Sequence, residues 1–291
     1  MGTGPNSTGP AGGAPAQTWV LAAGWGVAVL LPLLFGLLLA IMQHRGLHLR
    51  WGFTFSAYRS LIEAGRIRVV LDTARMAAIV SVLCLLFGLP LALWLARNAR
   101  PGLAVQMVWL CLTVPFFLDP SARGLALRLM LSAGGPVNSM LLHLHLVHQP
   151  VRWLLFSDFA VVIGLLGPYF PNMVWPIYLS LMLIDESLFD ASSDLGASPT
   201  QTLRLMVLPL AVPGIMAGVI MTFIPALGDN VVPDLLGGGR TEYIADSVMA
   251  LSTSMNYAGA SAMATIVFAL LGVLLLPTLL LRRMLTRAGA A

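Results

Sequence analysis

DESLFDASSDLGASPTQTLRLMVLP, residues 185–209, is a polar stretch set between two strongly apolar segments. Within it, apolar residues recur at helical spacing up to Leu195, and Gly196 follows at the position where a left-handed residue commonly ends a helix. Ser198, Pro199 and Gln201 then form the Ser-x-x-Gln capping box that starts a second helix. We therefore predict an ordered helix-turn-helix here, with Pro209 ending the second helix.

This predicted helix-turn-helix carries four carboxylates and one arginine. Asp190 and Asp194 are four residues apart, so they share one helical face and form an acidic ridge. A solvated charged face is the plain interpretation of such a run. Two capped helices and a tight turn are more order than a simple connection needs, which favours a surface that docks a partner outside the membrane.

The composition indicates an integral membrane protein, because 58% of the residues are hydrophobic, 10% are charged and the mean hydropathy is +0.88. All the basic residues other than histidine are arginines, and they are scattered among apolar segments, which argues against nucleic-acid binding. Without lysine the chain cannot form a nucleotide-binding P-loop or use a lysine nucleophile. Any ATP hydrolysis must therefore occur on another subunit.

Apolar segments of about 20 residues span a bilayer as helices, and six segments approach or exceed that length. The predicted spans are residues 19–42, 69–96, 103–118, 159–183, 210–227 and 260–281. The predicted organisation is a disordered tail (1–18), a first transmembrane helix (19–42), an extracytoplasmic amphipathic segment (43–68), a permease core (69–285) containing the loop 185–209, and a C-terminal tail (286–291). We expect the long connections after spans one and three to hold helices lying on the membrane surface.

The fourth predicted span contains Pro168, Pro171 and Pro176, with Asn172 among them. Proline removes a backbone donor, and a broken helix at membrane depth is tolerated only where protein covers it or it lines a cavity. We predict a broken helix that lines a solute pathway, and a packed kink is the alternative. In the fifth span, Gly214 and Gly218 suit close helix contact.

Enzyme and metal functions are weakly supported. Gly259-Ala-Ser261 faintly resembles a serine-hydrolase motif, but such a serine needs a neighbouring base. His143, His145 and His148 could suggest a metal site, but their spacing does not bring them to one helical face. We predict no catalytic residue, no cofactor and no metal site.

Residues 185–209 resemble the cytoplasmic coupling loop of ABC-type importer permeases. Asp190, Ala191 and Ser192 stand at the Glu-Ala-Ala positions of that loop, Gly196 stands at its glycine, and the loop ends in Leu208-Pro209. The stretches FPNMVWPIYLSL (170–181) and FIPALGDNVVPDLLGGG (223–239) are similar to the spermidine/putrescine branch of the family.

This resemblance implies an all-α integral membrane protein with the type I ABC importer permease fold, six transmembrane helices and a cytoplasmic coupling helix. It implies a multi-pass protein of the bacterial inner membrane, surrounded by membrane lipid. The implied partners are ABC ATPase subunits, a second permease subunit and an extracytoplasmic solute-binding protein. The implied ATPase-coupling residues are Asp190, Ala191, Ser192, Gly196, Ser198, Leu208 and Pro209.

The same resemblance implies that the solute is a polyamine or a related small organic cation. The candidate solute-path residues are Asp119, Asp229, Asp234, Asn172, Pro171 and Pro176. The carboxylates among them would lie near the extracytoplasmic mouth, where negative charge favours a polycation. Helix capping is the alternative role, and Asp119 before Pro120 suits a cap equally well.

Two alternatives remain for the function: an oligomeric secondary transporter or channel, and an ABC permease for an opine or phosphonate-type solute. The arginine distribution opposes the orientation that the coupling loop implies, because more arginines fall on the side assigned as external. We give the coupling loop precedence, since an ATPase partner must meet it in the cytoplasm.

Overall fold

A computed structural model describes residues 16–45, 48–98, 102–239 and 241–288. Most of the predicted N-terminal tail and the last three residues of the predicted C-terminal tail lie outside these ranges. The helices are α1 (Ala16–Ile41), α2 (Ser56–Glu63), α3 (Arg66–Arg97), α4 (Leu103–Phe117), α5 (Pro120–Leu131), α6 (Pro136–His143), α7 (Asp158–Met182), α8 (Glu186–Asp194), α9 (Pro199–Thr202), α10 (Leu208–Gly228), α11 (Val231–Gly237), α12 (Ile244–Thr253) and α13 (Tyr257–Ala288). The all-α class predicted from the sequence is confirmed.

One hairpin interrupts the helical architecture. Strand β1 (Met42–Arg45) pairs antiparallel with β2 (His48–Phe53), and α2 follows directly. Residues 43–68 therefore begin with a hairpin and hold one helix, α2, in their second half, and the position of that helix on the membrane surface remains a prediction. The sequence HLRWGFTF alternates apolar with other residues and contains aromatic residues, a pattern that favours strands.

Helix α7 lies at the centre of the molecule and packs against both α3 and α10. Glycines allow these helices to approach closely. A β-carbon at Gly214 of α10 would lie 2.4 Å from Ser180 Cβ and 2.6 Å from the Pro176 carbonyl oxygen. A β-carbon at Gly218 would lie 2.9 Å from the Met173 carbonyl oxygen. The predicted close contact through Gly214 and Gly218 is confirmed, and its partner is α7.

The proline-rich helix α7 is continuous from Asp158 to Met182, so the prediction of a broken helix is wrong. Each internal proline leaves the carbonyl four residues earlier without its helical donor, namely those of Gly164, Gly167 and Asn172. Burial between two neighbouring helices holds α7 in one rod despite these missing bonds.

A second packed cluster joins α1, α2, α12 and α13 to one side of α3 and α10. Several of its fully buried members are alanines, such as Ala40, Ala77 and Ala262, and these let the helix backbones lie close together. Most of α1 is exposed along its apolar surface, with Trp25 73% exposed. Such a surface suits contact with lipid or with another membrane subunit.

Among the described residues, five helical segments are long and apolar enough to cross a membrane: Ala23–Ile41, Arg66–Arg97, Pro120–His143, Asp158–Met182 and Pro199–Gly228. The predicted third span coincides with the shorter helix α4, and the predicted sixth falls within α13. Pro120–His143, part of the predicted connection after the third span, has the overall length and composition of a span but consists of two helices, α5 and α6. The number six remains a prediction.

The second helix of the 185–209 segment does not end at Pro209. A π-helical turn, Leu203–Val207, joins α9 to α10, so helix continues from Pro199 to Gly228. Leu208 N–H donates to the Leu203 carbonyl, five residues back. Because Pro209 has no N–H and its ring crowds the preceding turn, the wider π turn accommodates it without ending the helix.

Candidate solute path and docking surface

The polar segment between α7 and α10 has the local order predicted for it. Asp185 caps α8 by accepting a hydrogen bond from Ser187 N–H at 2.9 Å. This bond lowers the pKa of the Asp185 carboxyl, since it stabilises the charged form. At the other end of α8, Gly196 has φ +73°, the left-handed conformation expected of a helix-ending glycine.

The start of α9 is fixed by the predicted capping box. Ser198 N–H donates to Gln201 Oε1 at 2.8 Å, and Gln201 N–H donates to Ser198 Oγ at 3.4 Å. The hydroxyls of Ser192 and Thr202 lie 2.6 Å apart and tie α8 to α9. This second link between the helices gives Ser192 a structural role that its position in the sequence did not reveal.

Helix α8 buries no residue, and Asp190 and Asp194 are both exposed. Leu183 and Leu195 are each 87% exposed and Leu205 is 74% exposed, so apolar side chains accompany the acids. We call the exposed surface of residues 183–205 the docking surface. Acidic and apolar groups exposed together on a rigid element are typical of a protein interaction site.

One side chain anchors the docking surface to the membrane helices. Phe189 is half-buried and packs on the core that contains α3 and α7. It also lines a cavity of about 470 Å³ together with Arg97, Glu186, Asp190 and Val207. A displacement of α8 would therefore be transmitted to the ends of α3 and α10 through this contact.

At the opposite end of the bundle, Asp229 lies at the junction between α10 and α11. Its Oδ2 accepts a hydrogen bond from Tyr169 O–H at 2.8 Å, and its Oδ1 accepts one from Val232 N–H at 3.1 Å. Asp229 thus links α7 to the start of α11. The Asp229 residue is half-buried.

Asp119 and Asp234 lie in different surroundings. Asp119 caps α5, because its Oδ1 accepts hydrogen bonds from the N–H groups of Ser121 and Ala122 at 2.9 and 3.1 Å. Asp234 lines an open cleft of about 650 Å³. The structure gives no contact that brings Asp119, Asp229 and Asp234 together as one cluster.

The cleft beside Asp234 contains two carboxylates that sequence reasoning missed, Glu242 and Asp246. Burial raises the pKa of Asp246, and the charges of Asp234 and Glu242 raise it further, while a hydrogen bond from Tyr243 N–H opposes the rise. Arg66 approaches Glu242 at 3.5 Å from outside. We call this group of three carboxylates the acidic cleft.

The predicted path residues of α7 face different neighbours. Asn172 donates to the Met221 carbonyl of α10 at 3.3 Å. Pro171 is buried and lines a small apolar cavity of about 270 Å³ with residues of α4. The Pro176 carbonyl faces Gly214. These residues therefore do not converge on a single pocket.

Arg123 of α5 is a further residue that the sequence did not single out. Its Nη1 donates to the Pro115 carbonyl at 3.2 Å, whereas its buried Nε has no hydrogen-bond partner among the described residues. The signal in the sequence that could have identified it is a charge inside a largely apolar segment, Pro120–His143.

The described part of the chain contains no group of three or more His, Cys, Asp or Glu side chains arranged to hold a metal ion. His143 Nδ1 lies 2.7 Å from the Ser139 carbonyl oxygen of its own helix. This contact is local and does not gather His145 or His148 around a common point.

Comparison with known proteins identifies the family. Residues 84–287 match the family described as "Binding-protein-dependent transport system inner membrane component". The chain is 36% identical over 196 residues to the spermidine/putrescine transport system permease protein PotB of Escherichia coli K12, covering 67% of this chain and 70% of that protein. It is 32% identical over 216 residues to PotB of Haemophilus influenzae, covering 73% of each.

A solved structure shares the fold. It is that of a bacterial ABC transporter involved in the import of the acidic polysaccharide alginate. One of its chains superposes with a TM-score of 0.64 at 19% identity, covering 93% of this chain and 97% of that one.

Proposed function

Because this chain belongs to the binding-protein-dependent transport system inner membrane components, the permease subunits of ABC importers, we propose that it carries a polyamine or a related small organic cation. It is a multi-pass protein of the bacterial inner membrane, and ATP hydrolysis belongs to a separate subunit. The support for a polyamine is the 36% identity to a spermidine/putrescine permease protein, together with the carboxylates gathered at one end of the bundle.

Family membership implies two of the partners, and a third is proposed. An ABC ATPase and an extracytoplasmic solute-binding protein are implied by membership. A second permease subunit is our proposal, and the long exposed apolar surface of α1 supports contact with lipid or a further membrane chain.

In the proposed mechanism, the ATPase binds the docking surface at the residues Asp190, Ala191, Ser192, Gly196 and Ser198. Movement of the ATPase displaces α8, and Phe189 together with the continuous helix from Pro199 to Gly228 transmits that movement across the membrane. Leu208 and Pro209 lie where this helix leaves the docking surface. The bundle then alternates between states open to one side and to the other.

We assign the solute's entry to the end of the bundle that carries Asp229 and the acidic cleft. Three carboxylates in a cleft of about 650 Å³ attract a polycation before it reaches Asp229. Three residues of α7 would affect transport through the packing of this helix and not by lining one common solute pocket: Pro171, Asn172 and Pro176.

The observation that carries the coupling role is the ordered, exposed, acidic docking surface on a chain that has no lysine for a P-loop. The test is Asp190→Arg, with the ATPase that co-purifies with the full chain measured by mass spectrometry. Charge reversal at an interface typically costs several kcal/mol, so we expect the ATPase to be reduced at least about tenfold.

Glu63→Arg is the matched control, because Glu63 is an exposed acid on α2 at the opposite end of the bundle. It should leave the co-purifying ATPase unchanged. Equal recovery of ATPase with both variants would remove Asp190 from the interface. A chain that purifies as a homo-oligomer without any ATPase would favour the secondary transporter instead.

The solute assignment predicts that Asp229→Asn strongly reduces uptake of labelled spermidine supplied with the binding protein. The asparagine keeps one acceptor oxygen for Val232 N–H, and its amide can donate to the Tyr169 hydroxyl, but it loses the charge. The comparison is Tyr169→Phe, which removes the same link to α7 and keeps the carboxylate.

We expect Asp229→Asn to lose about tenfold in uptake and Tyr169→Phe to lose much less. Equal losses would assign Asp229 a structural role only. Transport of an opine or phosphonate in place of spermidine by the unmodified protein would replace the proposed solute and leave the coupling role intact.

A further inference from the structure

A second cavity lies at the same end of the bundle, outside the acidic cleft. It encloses about 400 Å³ between α3, α7 and the segment leading into α12. That volume is within the range of about 300–1,000 Å³ that is usual for small-molecule sites. Its charged lining residues are Arg68, Asp72, Arg75 and Asp158, and its deeper wall includes Ile79. We call it the interfacial cavity.

The lining of the interfacial cavity changes with depth. Residues 76–96 of α3 carry no charge and extend about 30 Å, the thickness of a bilayer core, so Arg75 is the last charge before the hydrocarbon. Ile79 and Phe159 line the cavity further along the helices and are 38% and 43% exposed. The cavity is therefore charged at headgroup level and apolar below it.

The charges in this cavity are balanced but only partly paired. Arg68 Nε lies 3.7 Å from Asp72 Oδ2 on the exposed rim. Among the described residues, Asp158 accepts one hydrogen bond, from Thr241 O–H at 3.3 Å, and most of its acceptor sites have no partner there. No carboxylate of the described residues lies within ion-pair distance of Arg75.

A buried hydroxyl gives independent evidence of a missing ligand. Tyr243 forms part of the cavity wall and is only 2% exposed. Its O–H has no hydrogen-bond partner in the described part of the chain. Buried polar groups are nearly always satisfied in native proteins, so an unpaired phenol beside Asp158 and Asp72 indicates that a polar group belongs nearby.

We propose that the interfacial cavity binds the headgroup of phosphatidylethanolamine. The phosphate pairs with Arg75, the primary ammonium donates to Asp158, and an acyl chain lies along Ile79 and Phe159. A lining of two arginines and two aspartates matches a zwitterion of zero net charge, whereas an anionic lipid would leave both aspartates opposed to negative charge. An ammonium with N–H donors suits a carboxylate better than a choline group, which has none.

The experiment purifies the full-length chain with its accompanying subunits in mild detergent and counts the retained phospholipids by mass spectrometry. Arg75→Gln and Asp158→Asn should each lower the retained phosphatidylethanolamine about tenfold, because each removes one charge-assisted contact. The matched control is Arg59→Gln, an exposed arginine on α2 that lies outside the cavity and pairs with Glu63. Retention equal to the control in both variants would overturn the proposal.

Two further measurements separate the lipid from other occupants. In nanodiscs, phosphatidylethanolamine should raise the melting temperature above that in phosphatidylcholine for the unmodified protein and not for Arg75→Gln. Equal stabilisation by soluble glycerophosphoethanolamine would mean that the cavity binds a free zwitterion, and this result would overturn the lipid assignment. A photo-crosslinker at Ile79 that captures a second protein chain instead of lipid would also overturn it.

Discussion

Single carboxylates in this chain have distinct roles that their residue type does not reveal. Asp119 and Asp185 each satisfy backbone N–H groups at the start of a helix. Asp229 does the same for Val232 and also holds Tyr169. Capping by Asp119 could be expected from the proline that follows it. The link from Asp229 to α7 could not, because its partner is 60 residues away in the chain.

Asp246 provides a prediction about pH. The pKa of Asp246 is raised in the folded protein, so folding favours its neutral carboxyl. This contribution to stability is fully present below the pKa of Asp in the unfolded chain, about 3.9, and is lost as pH rises through the pKa of the folded protein. At pH 7 the buried charge is therefore unfavourable. Asp246→Asn should raise the melting temperature by roughly 1–2 °C at pH 7, and the gain should vanish near pH 4.

Glu242→Gln is the comparison for this prediction, because Glu242 lies in the same cleft but is exposed and near Arg66. It should gain less than Asp246→Asn, because it relieves one repulsion on Asp246 but also loses the contact with Arg66. Thermal unfolding of both variants in detergent at the two pH values measures the effect. A gain for Asp246→Asn that persists unchanged at pH 4 would show that its cause is not the charge.

At the scale of elements, local rules predicted the caps and turns well. Gly196 and the Ser198 capping box were expected because their physics lies within four residues of chain. Helix continuity was predicted poorly: α7 continues through its prolines and α10 through Pro209. Whether a proline ends a helix depends on the packing around it, and that packing comes from distant parts of the chain.

Helix packing gives a prediction at Gly214. A β-carbon there would lie 2.6 Å from the Pro176 carbonyl oxygen, a backbone atom of α7 that cannot move independently. Gly214→Ala should destabilise the protein by about 1–3 kcal/mol, as overpacking in cores does. The matched control is Gly272→Ala in α13, where a β-carbon meets no atom within 4 Å.

Thermal unfolding and the yield of folded protein in the membrane would measure both glycine variants. The control should match the unmodified protein or exceed it slightly, since alanine favours helix. Equal stability of Gly214→Ala and Gly272→Ala would show that α7 and α10 separate more easily than their contacts indicate.

At the scale of the whole molecule, the sequence predicted the class, the family and the exposed helix-turn-helix between α7 and α10. The acidic cleft and the interfacial cavity were not predicted. Glu242, Asp246 and Tyr243 lie close to each other in sequence, but α3, α5 and α7 supply the other walls. Pattern reasoning cannot assemble such sites, because it does not tell which connections fold back over which helix ends.

The orientation of the whole molecule is testable, because the arginine distribution opposes the assignment made from the coupling loop. In a chain carrying Cys111→Ser, cysteine is introduced at Ser193 of α8 or at Glu63 of α2, both exposed and at opposite ends. A membrane-impermeant maleimide added to intact spheroplasts should label Glu63→Cys and spare Ser193→Cys. Labelling of Ser193→Cys before lysis would reverse the orientation and remove the ATPase from the docking surface.

The unbroken helix from Pro199 to Gly228 can act as a lever between the docking surface and Asp229. At 1.5 Å per residue its thirty residues extend about 45 Å, so both ends project beyond a bilayer core of about 30 Å. A tilt of only about 10° about one end would swing the other through about 8 Å, more than the pitch of a helical turn. A small rotation at the docking surface would therefore move Asp229 by several ångströms. That movement is large enough to break a contact between its carboxylate and a hydrated cation.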